Sequence, residues 1–274
     1  MPTTKANGIE VYFEVHGEGP PLLLIMGLGA NATAWWKQVP AFSEQYRVIA
    51  FDNRGSGRSE KPAGAYSIAQ MADDAAALMD ALAVPSSHVF GMSLGGMIAQ
   101  EYALRHPQRV QSLVLGGTTP GGPKAVRPGP DVIGHFATVA SLPIPQAIER
   151  GMSLLYSDEF LAANKGWLVE RALEMAPLMA PPHGLQGQAI AAISHNTYGR
   201  LASIDAPTLV LSGRADRIVP HPNSVLIAEG VRGARLVTYE GAGHGFLVER
   251  ADAVNEAVLG FLGVSDGGGS AGPK

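Results

Sequence analysis

Two hydrophobic rhythms alternate along this chain. Ile9, Val11, Phe13 and Val15 fall on one face of a strand that ends at "HGEGPP", the period-two pattern of an antiparallel strand. Short continuous apolar runs follow, each separated from the next by a helical stretch. "PLLLIM" leads to a helix around Ala34–Phe42, and "YRVIAFD" to a helix over Ile68–Leu82. "HVFGMS" leads to a helix from Gly95 to about Arg105, and then "VQSLVLGG" follows. Apolar strands alternating with helices predict a mostly parallel central sheet flanked by helices, buried on both faces.

The alternation stops at "TTPGGPKAVRPGP", where proline and glycine break it. From Asp131 to Gly199 only helical periodicity is present, rich in Met, Leu and Ala. Strand grammar resumes with "APTLVLSG" and "ARLVTYE", and a helix over Ala251–Phe261 closes the pattern. The chain thus divides into a core over 1–120 and 201–264, a helical cap or lid over 121–200, and a flexible glycine-rich tail over 265–274.

Composition narrows the function without choosing it. The chain has 274 residues, 46% apolar and 16% charged, with a net charge of −4 and no apolar run of membrane-spanning length. No block of like charge suggests a nucleic-acid or anionic-membrane surface. Cysteine is absent, which excludes disulfides, thiolate metal sites and cysteine nucleophiles. The N-terminus reads as the start of a strand in a cytoplasmic protein.

Within the run "HVFGMSLGGMIAQ", Gly91-Met92-Ser93-Leu94-Gly95 matches G-x-S-x-G. Glycine is so abundant here that such a match arises by chance in roughly one chain of four like it. A second match, "GGSAG" around Ser270, illustrates the point. Context separates them. Ser93 follows an apolar strand and opens an amphipathic helix, the setting of a strained strand-to-helix elbow that exposes a nucleophilic hydroxyl. Ser270 has neither a strand before it nor a helix after it. A helix-capping serine would show the same local pattern as Ser93, so partners must decide.

A serine hydroxyl needs a base, and the base needs an orienting group. Among eight histidines, His88 begins a strand, His106 ends a helix before Pro107 and His195 lies in the cap. His244 stands on the glycine-rich "EGAGHGF" loop directly after the last strand. Asp216 lies just past the preceding strand in "LVLSGRADRIVP", whereas Asp205 precedes that strand and Glu240 points from the last one. Ser93, Asp216 and His244 occur in the order expected of an elbow-type hydrolase. No His-Glu-x-x-His or comparable spacing indicates a metal site.

"GMSLGG", "FDNRGSGRSEKP", "SGRADRIVP" and "GAGHGF" together resemble the α/β-hydrolase family, over about Gly8 to Leu262. Within it the chain is similar to small serine esterases and lactonases of the 3-oxoadipate enol-lactonase and aclacinomycin methylesterase kind. The resemblance implies Ser93 as nucleophile, His244 as general base and acid, and Asp216 as orienting carboxylate. It also implies an oxyanion hole of backbone N–H groups from Leu94 and Leu28. Family members often carry His-Gly where this chain has Met26-Gly27. Asp52 and Arg54 match a structural turn of the family.

The expected activity is therefore hydrolysis of a small carboxylic ester through an acyl-enzyme, with an enol-lactone or other lactone as the alternative substrate and no cofactor. C–C bond hydrolysis and perhydrolysis can use the same triad. A ligand receptor without turnover, or a transacylase, could use the same scaffold. "GLGANA" at Gly27–Ala32, with Asp52 twenty residues beyond, also has the spacing of a dinucleotide fingerprint. The short helix that follows, with Trp35, Trp36 and Pro40, speaks against it. In the cap, Met152, Leu154, Leu155, Trp167, Met175 and Met179 could line an apolar pocket, although packing onto the core is the commoner role of such residues. Arg150, Lys165 and Arg171 could receive a substrate carboxylate, with solvated surface as the plainer reading.

Overall fold

A computed structural model describes residues 2–265. Strands β1 (Thr3–Ala6) and β2 (Ile9–His16) form a hairpin, then β3 (Pro21–Ile25) enters the sheet. Helix α1 (Gln38–Phe42), β4 (Arg47–Phe51), α2 (Ile68–Ala81), β5 (Ser87–Met92), α3 (Leu94–Arg105) and β6 (Val110–Gly116) follow. Next come α4 (Pro130–Thr138), α5 (Ile144–Leu155), α6 (Asp158–Met175) and α7 (Pro182–Ile193). Strand β7 (Thr208–Gly213), α8 (Pro222–Gly230), β8 (Arg235–Tyr239), α9 (Phe246–Glu249) and α10 (Ala251–Ser265) complete the described chain.

The eight strands form one sheet in the order β1-β2-β4-β3-β5-β6-β7-β8. β2 runs antiparallel to β1 and β4, and every pairing from β4 to β8 is parallel. The mostly parallel sheet flanked by helices is the architecture the sequence predicted, and four helices are inserted between the adjacent strands β6 and β7. Alternation sends successive side chains to opposite faces. Leu23, Ile25, Ile49, Val89 and Leu113 pack toward α2 and α3, while Leu22, Leu24, Val48, Phe90 and Val114 pack with α1 and α10. Truncating one of these fully buried leucines to alanine costs about 2–5 kcal/mol.

Local sequence explains most boundaries. Ser67 caps α2 by accepting from Gln70 N–H, and Ser157 caps α6 by accepting from Phe160 N–H. The predicted helix over Ala34–Phe42 is instead a 3-10 turn over Ala32–Trp35 followed by the short α1. Asn31 caps the turn through Thr33 N–H, starting it earlier than the apolar pattern suggested. Strand β1 was not expected from its polar sequence. Its signal was Asn7-Gly8, whose φ values of 48° and 82° make the tight turn to β2. Ser265, predicted as the start of the tail, instead ends α10; the rest of the predicted tail, with Ser270, lies outside the described residues. No helix among the described residues is long and apolar enough to cross a membrane.

Candidate active site

Ser93 occupies the turn between β5 and α3 with φ 57° and ψ −120°, a conformation L-residues rarely adopt. Backbone and side-chain bonds from several elements hold it there. Ser93 N–H donates to the Gly116 carbonyl of β6, and the Ser93 carbonyl accepts from Gly96 N–H, Met97 N–H and the Thr118 hydroxyl. The elbow glycines are packing requirements. A Cβ on Gly91 would overlap the Gly95 carbonyl, and one on Gly95 would overlap the Ile25 carbonyl of β3. The Ser93 side chain makes no capping bond to α3, so its hydroxyl is not committed to the helix.

The loop after β3 passes directly beside this serine. A Cβ on Gly27 would stand 3.0 Å from Ser93 Cβ and 3.5 Å from its Oγ. Asn53 Nδ2 donates to the Met26 carbonyl at 2.8 Å, fixing the loop's start. Gly29 N–H donates at 2.8 Å to Oε1 of Gln188, a fully buried side chain from α7 whose Nε2 donates to the Arg54 carbonyl. Leu28 lies between these anchors, half-buried against the core. Leu94 is the first residue of α3, where backbone N–H groups have no acceptor within the helix. Such N–H groups favour a developing anion.

Asp216 and His244 meet beyond the ends of β7 and β8. His244 Nδ1 lies 2.6 Å from Asp216 Oδ2, with the carboxyl group wholly buried and the imidazole nearly so. The second oxygen, Oδ1, accepts from Ile218 N–H at 2.9 Å and Val219 N–H at 2.8 Å, which sets the rotamer of the aspartate. A carboxylate oxygen accepts here, so Nδ1 is the donor of this bond and Nε2 is the ring nitrogen that Asp216 leaves free to meet another group. The imidazole edge stands over the end of β6, since a Cβ on Gly117 would lie 3.3 Å from His244 Cε1. The preceding residue, Gly116, is the one that binds Ser93 N–H. All three side chains therefore gather at one edge of the sheet.

Other histidines occupy different surroundings. His106 pairs with Asp73 at 2.9 Å and His16 with Glu14 at 3.2 Å, both partly exposed and away from Ser93's strand end. His88 Nδ1 contacts the Ser112 hydroxyl inside the sheet. His195 is buried beside Thr197, and burial pushes its pKa down to about 4.

The dinucleotide reading fails on geometry. Asp52 is fully buried, with Oδ1 accepting from Ala32 N–H at 2.7 Å and Oδ2 from Arg58 N–H at 2.7 Å. Its oxygens tie two loops together and do not face a ribose. Arg54 is likewise internal, forked onto Asp74. Among the candidate cap residues, Met152 and Leu154 are buried, Leu155 and Met175 half-buried, and Trp167 and Met179 exposed at 37% and 54%. Lys165 pairs with Glu149 and Arg171 with Glu174, so both cations already have carboxylate partners, while Arg150 is exposed beside His135. No group of three or more potential metal-ligating residues occurs among the described residues.

Thr118, Asn53 and Gln188 were not anticipated from the sequence. Each acts through a bond to a backbone group far along the chain, and only the Gly116-Gly117 break hinted that Thr118 sits at a strand end.

A serine on a strained strand-to-helix elbow, a glycine loop beside it and an Asp–His pair thus share one edge of the α/β sheet. The chain belongs to the α/β-hydrolase fold family, which matches residues 20–251. It is 33% identical to "Putative carbamate hydrolase RutD" of Azorhizobium caulinodans, over 97% of this chain and 100% of that protein. The enol-lactonase of Burkholderia xenovorans LB400 superposes with a TM-score of 0.85 at 27% identity, covering 95% of this chain and 99% of that one. A thermophilic esterase of Thermogutta terrifontis gives 0.83 at 27% identity, covering 97% and 99%.

Proposed function

We propose that this hydrolase is a serine enzyme that cleaves small carboxylic esters through an acyl-enzyme. The observation that carries the reading is the left-handed backbone of Ser93 set opposite the buried His244–Asp216 pair. Ser93 Oγ attacks the ester carbonyl while His244 Nε2 takes its proton, and Asp216 stabilises the resulting imidazolium. The N–H groups of Leu28 and Leu94 receive the oxyanion as the carbonyl carbon becomes tetrahedral. Collapse breaks the bond to the leaving alkoxide, which takes the proton from His244. Water then gives a proton to His244 Nε2 and adds to the acyl carbon; collapse breaks the bond to Ser93 Oγ, and His244 returns the proton to that oxygen as the acid leaves. In this reading residues 121–200 form a cap that admits the substrate, and no cofactor takes part.

A carbamate offers the same reacting carbon, and the similarity to proteins named carbamate hydrolases supports it as a second substrate class. A lactone is a third, supported by the enol-lactonase neighbour. The test is a panel of p-nitrophenyl esters of graded chain length, an aryl carbamate and several lactones, on wild type and Ser93→Ala. Turnover by the wild type should fall about 10⁶-fold in the variant. Ester turnover that survives the substitution refutes the assignment, and the panel's ranking identifies the substrate class.

A further inference from the structure

The loop that carries His244 does not rest on the core alone. Gly245 N–H donates at 2.6 Å to the carbonyl of Leu155, the last residue of α5. Both glycines flanking His244 lie against the same inserted segment. A Cβ on Gly243 would overlap the Leu155 carbonyl, and one on Gly245 would overlap the Tyr156 ring. Glu249, at the end of α9, closes the arrangement from the other side. Its Oε2 accepts from Gly243 N–H at 3.1 Å and from Ser157 N–H at 3.4 Å, and its Oε1 accepts from the Ser157 hydroxyl.

This carboxylate is 6% exposed, and among the described residues no Lys, Arg or His lies within ion-pairing distance of it. Burying an unpaired carboxylate is costly, and neutral donors offset only part of that cost. Apolar packing at the end of α9 would not require it. What a carboxylate does here, and an apolar side chain cannot, is join two segments that are remote in sequence. One is the peptide preceding His244, and the other is the start of α6. The burial of Tyr156, with the nearby Glu249 charge, pushes its phenol up to about 12, so this ring stays neutral at neutral pH.

We infer that Glu249 is a positioning residue for His244, and that through Ser157 it makes the placement of the general base depend on the inserted helices. The inference rests on the reading of His244 as the base of a serine hydrolase. The insertion then does more than surround the substrate. If segment 155–157 moves, the peptides on both sides of His244 move with it. Misplacing a catalytic group by about 1 Å costs up to about 100-fold in rate.

The experiment compares wild type, Ser157→Ala, Ser157→Thr and Glu249→Gln with p-nitrophenyl acetate, and follows the low-field His244 Nδ1–H proton by NMR. Ser157→Ala should lower kcat about 10-fold or more with KM within about twofold. Ser157→Thr, which keeps the hydroxyl, should restore it. Glu249→Gln should shift or broaden the Nδ1–H signal. Ser157 also caps α6, so a lowered Tm in Ser157→Ala with unchanged kcat and an unchanged proton signal overturns the inference. p-Nitrophenyl acetate turnover that survives Ser93→Ala refutes the serine-hydrolase reading instead. Turnover that is lost in Ser93→Ala, with kcat insensitive to Ser157 and Glu249, refutes only the positioning role.

Discussion

Replacing Ser93 by glycine should abolish activity and yet leave a more stable protein than Ser93→Ala. The two variants lose the same hydroxyl and keep the same backbone bonds to Gly116, Gly96, Met97 and Thr118. Neither loses a helix cap, because the serine side chain makes no capping bond. They differ in what φ 57°, ψ −120° costs. For a residue with a Cβ that conformation costs about 1–3 kcal/mol, which glycine does not incur. Against this, glycine raises the entropy of the unfolded chain by about 0.4–1 kcal/mol relative to alanine. Removing the Cβ of a half-buried residue costs less than about 0.5 kcal/mol more. The balance favours Ser93→Gly over Ser93→Ala by about 1 kcal/mol, or about 2 °C in Tm for a chain of this size. Urea or thermal unfolding of the two inactive variants measures it directly. If Ser93→Gly is no more stable than Ser93→Ala, the elbow stores no strain and the argument from its backbone conformation fails.

Two further outcomes follow from residues around the site. Gln188→Met removes the acceptor of Gly29 N–H and the donor to Arg54, so it should destabilise the fold by about 1–3 kcal/mol. Because Gly29 adjoins Leu28, kcat should fall more than KM rises; lost stability with unchanged kcat would show that this anchor does not shape the oxyanion loop. Acid should destabilise the protein through His195. Its pKa is held down at about 4 by burial, so the unfolded chain takes up the proton first. Stability from this source is complete above pH 6.5 and declines as pH falls toward 4, by about 2 kcal/mol at pH 5. Glu101 and Arg200 also face this imidazole, with opposing effects on its charge. Unfolding of wild type and His195→Gln at pH 7 and pH 5 should show a smaller acid loss in the variant, and equal losses would assign acid sensitivity elsewhere.

Much of this architecture follows from local pattern. Parallel strands buried on both faces must be apolar throughout, so "PLLLIM", "HVFGMS" and "APTLVLSG" announced themselves. The elbow needs glycines at fixed offsets because β3 passes within contact of Gly95. Asp216 and His244 could be singled out because each follows a strand end. Where local and tertiary demands diverged, the pattern was incomplete. The polar strand β1 is held by pairing with β2, a contact its own residues do not encode.

The sequence by itself determined the sheet, the elbow and the chain order of serine, acid and histidine, because these depend on periodicity and on backbone space within a few residues. Tertiary structure alone decided which polar groups meet across long loops. It turned Asp52 inward onto Ala32 and Arg58, set Gln188 beneath Gly29, and brought Glu249 to Ser157 and Gly243. A hydrogen bond between residues 92 or 159 positions apart leaves no periodic trace in the chain, since only the folded path brings the two groups within reach.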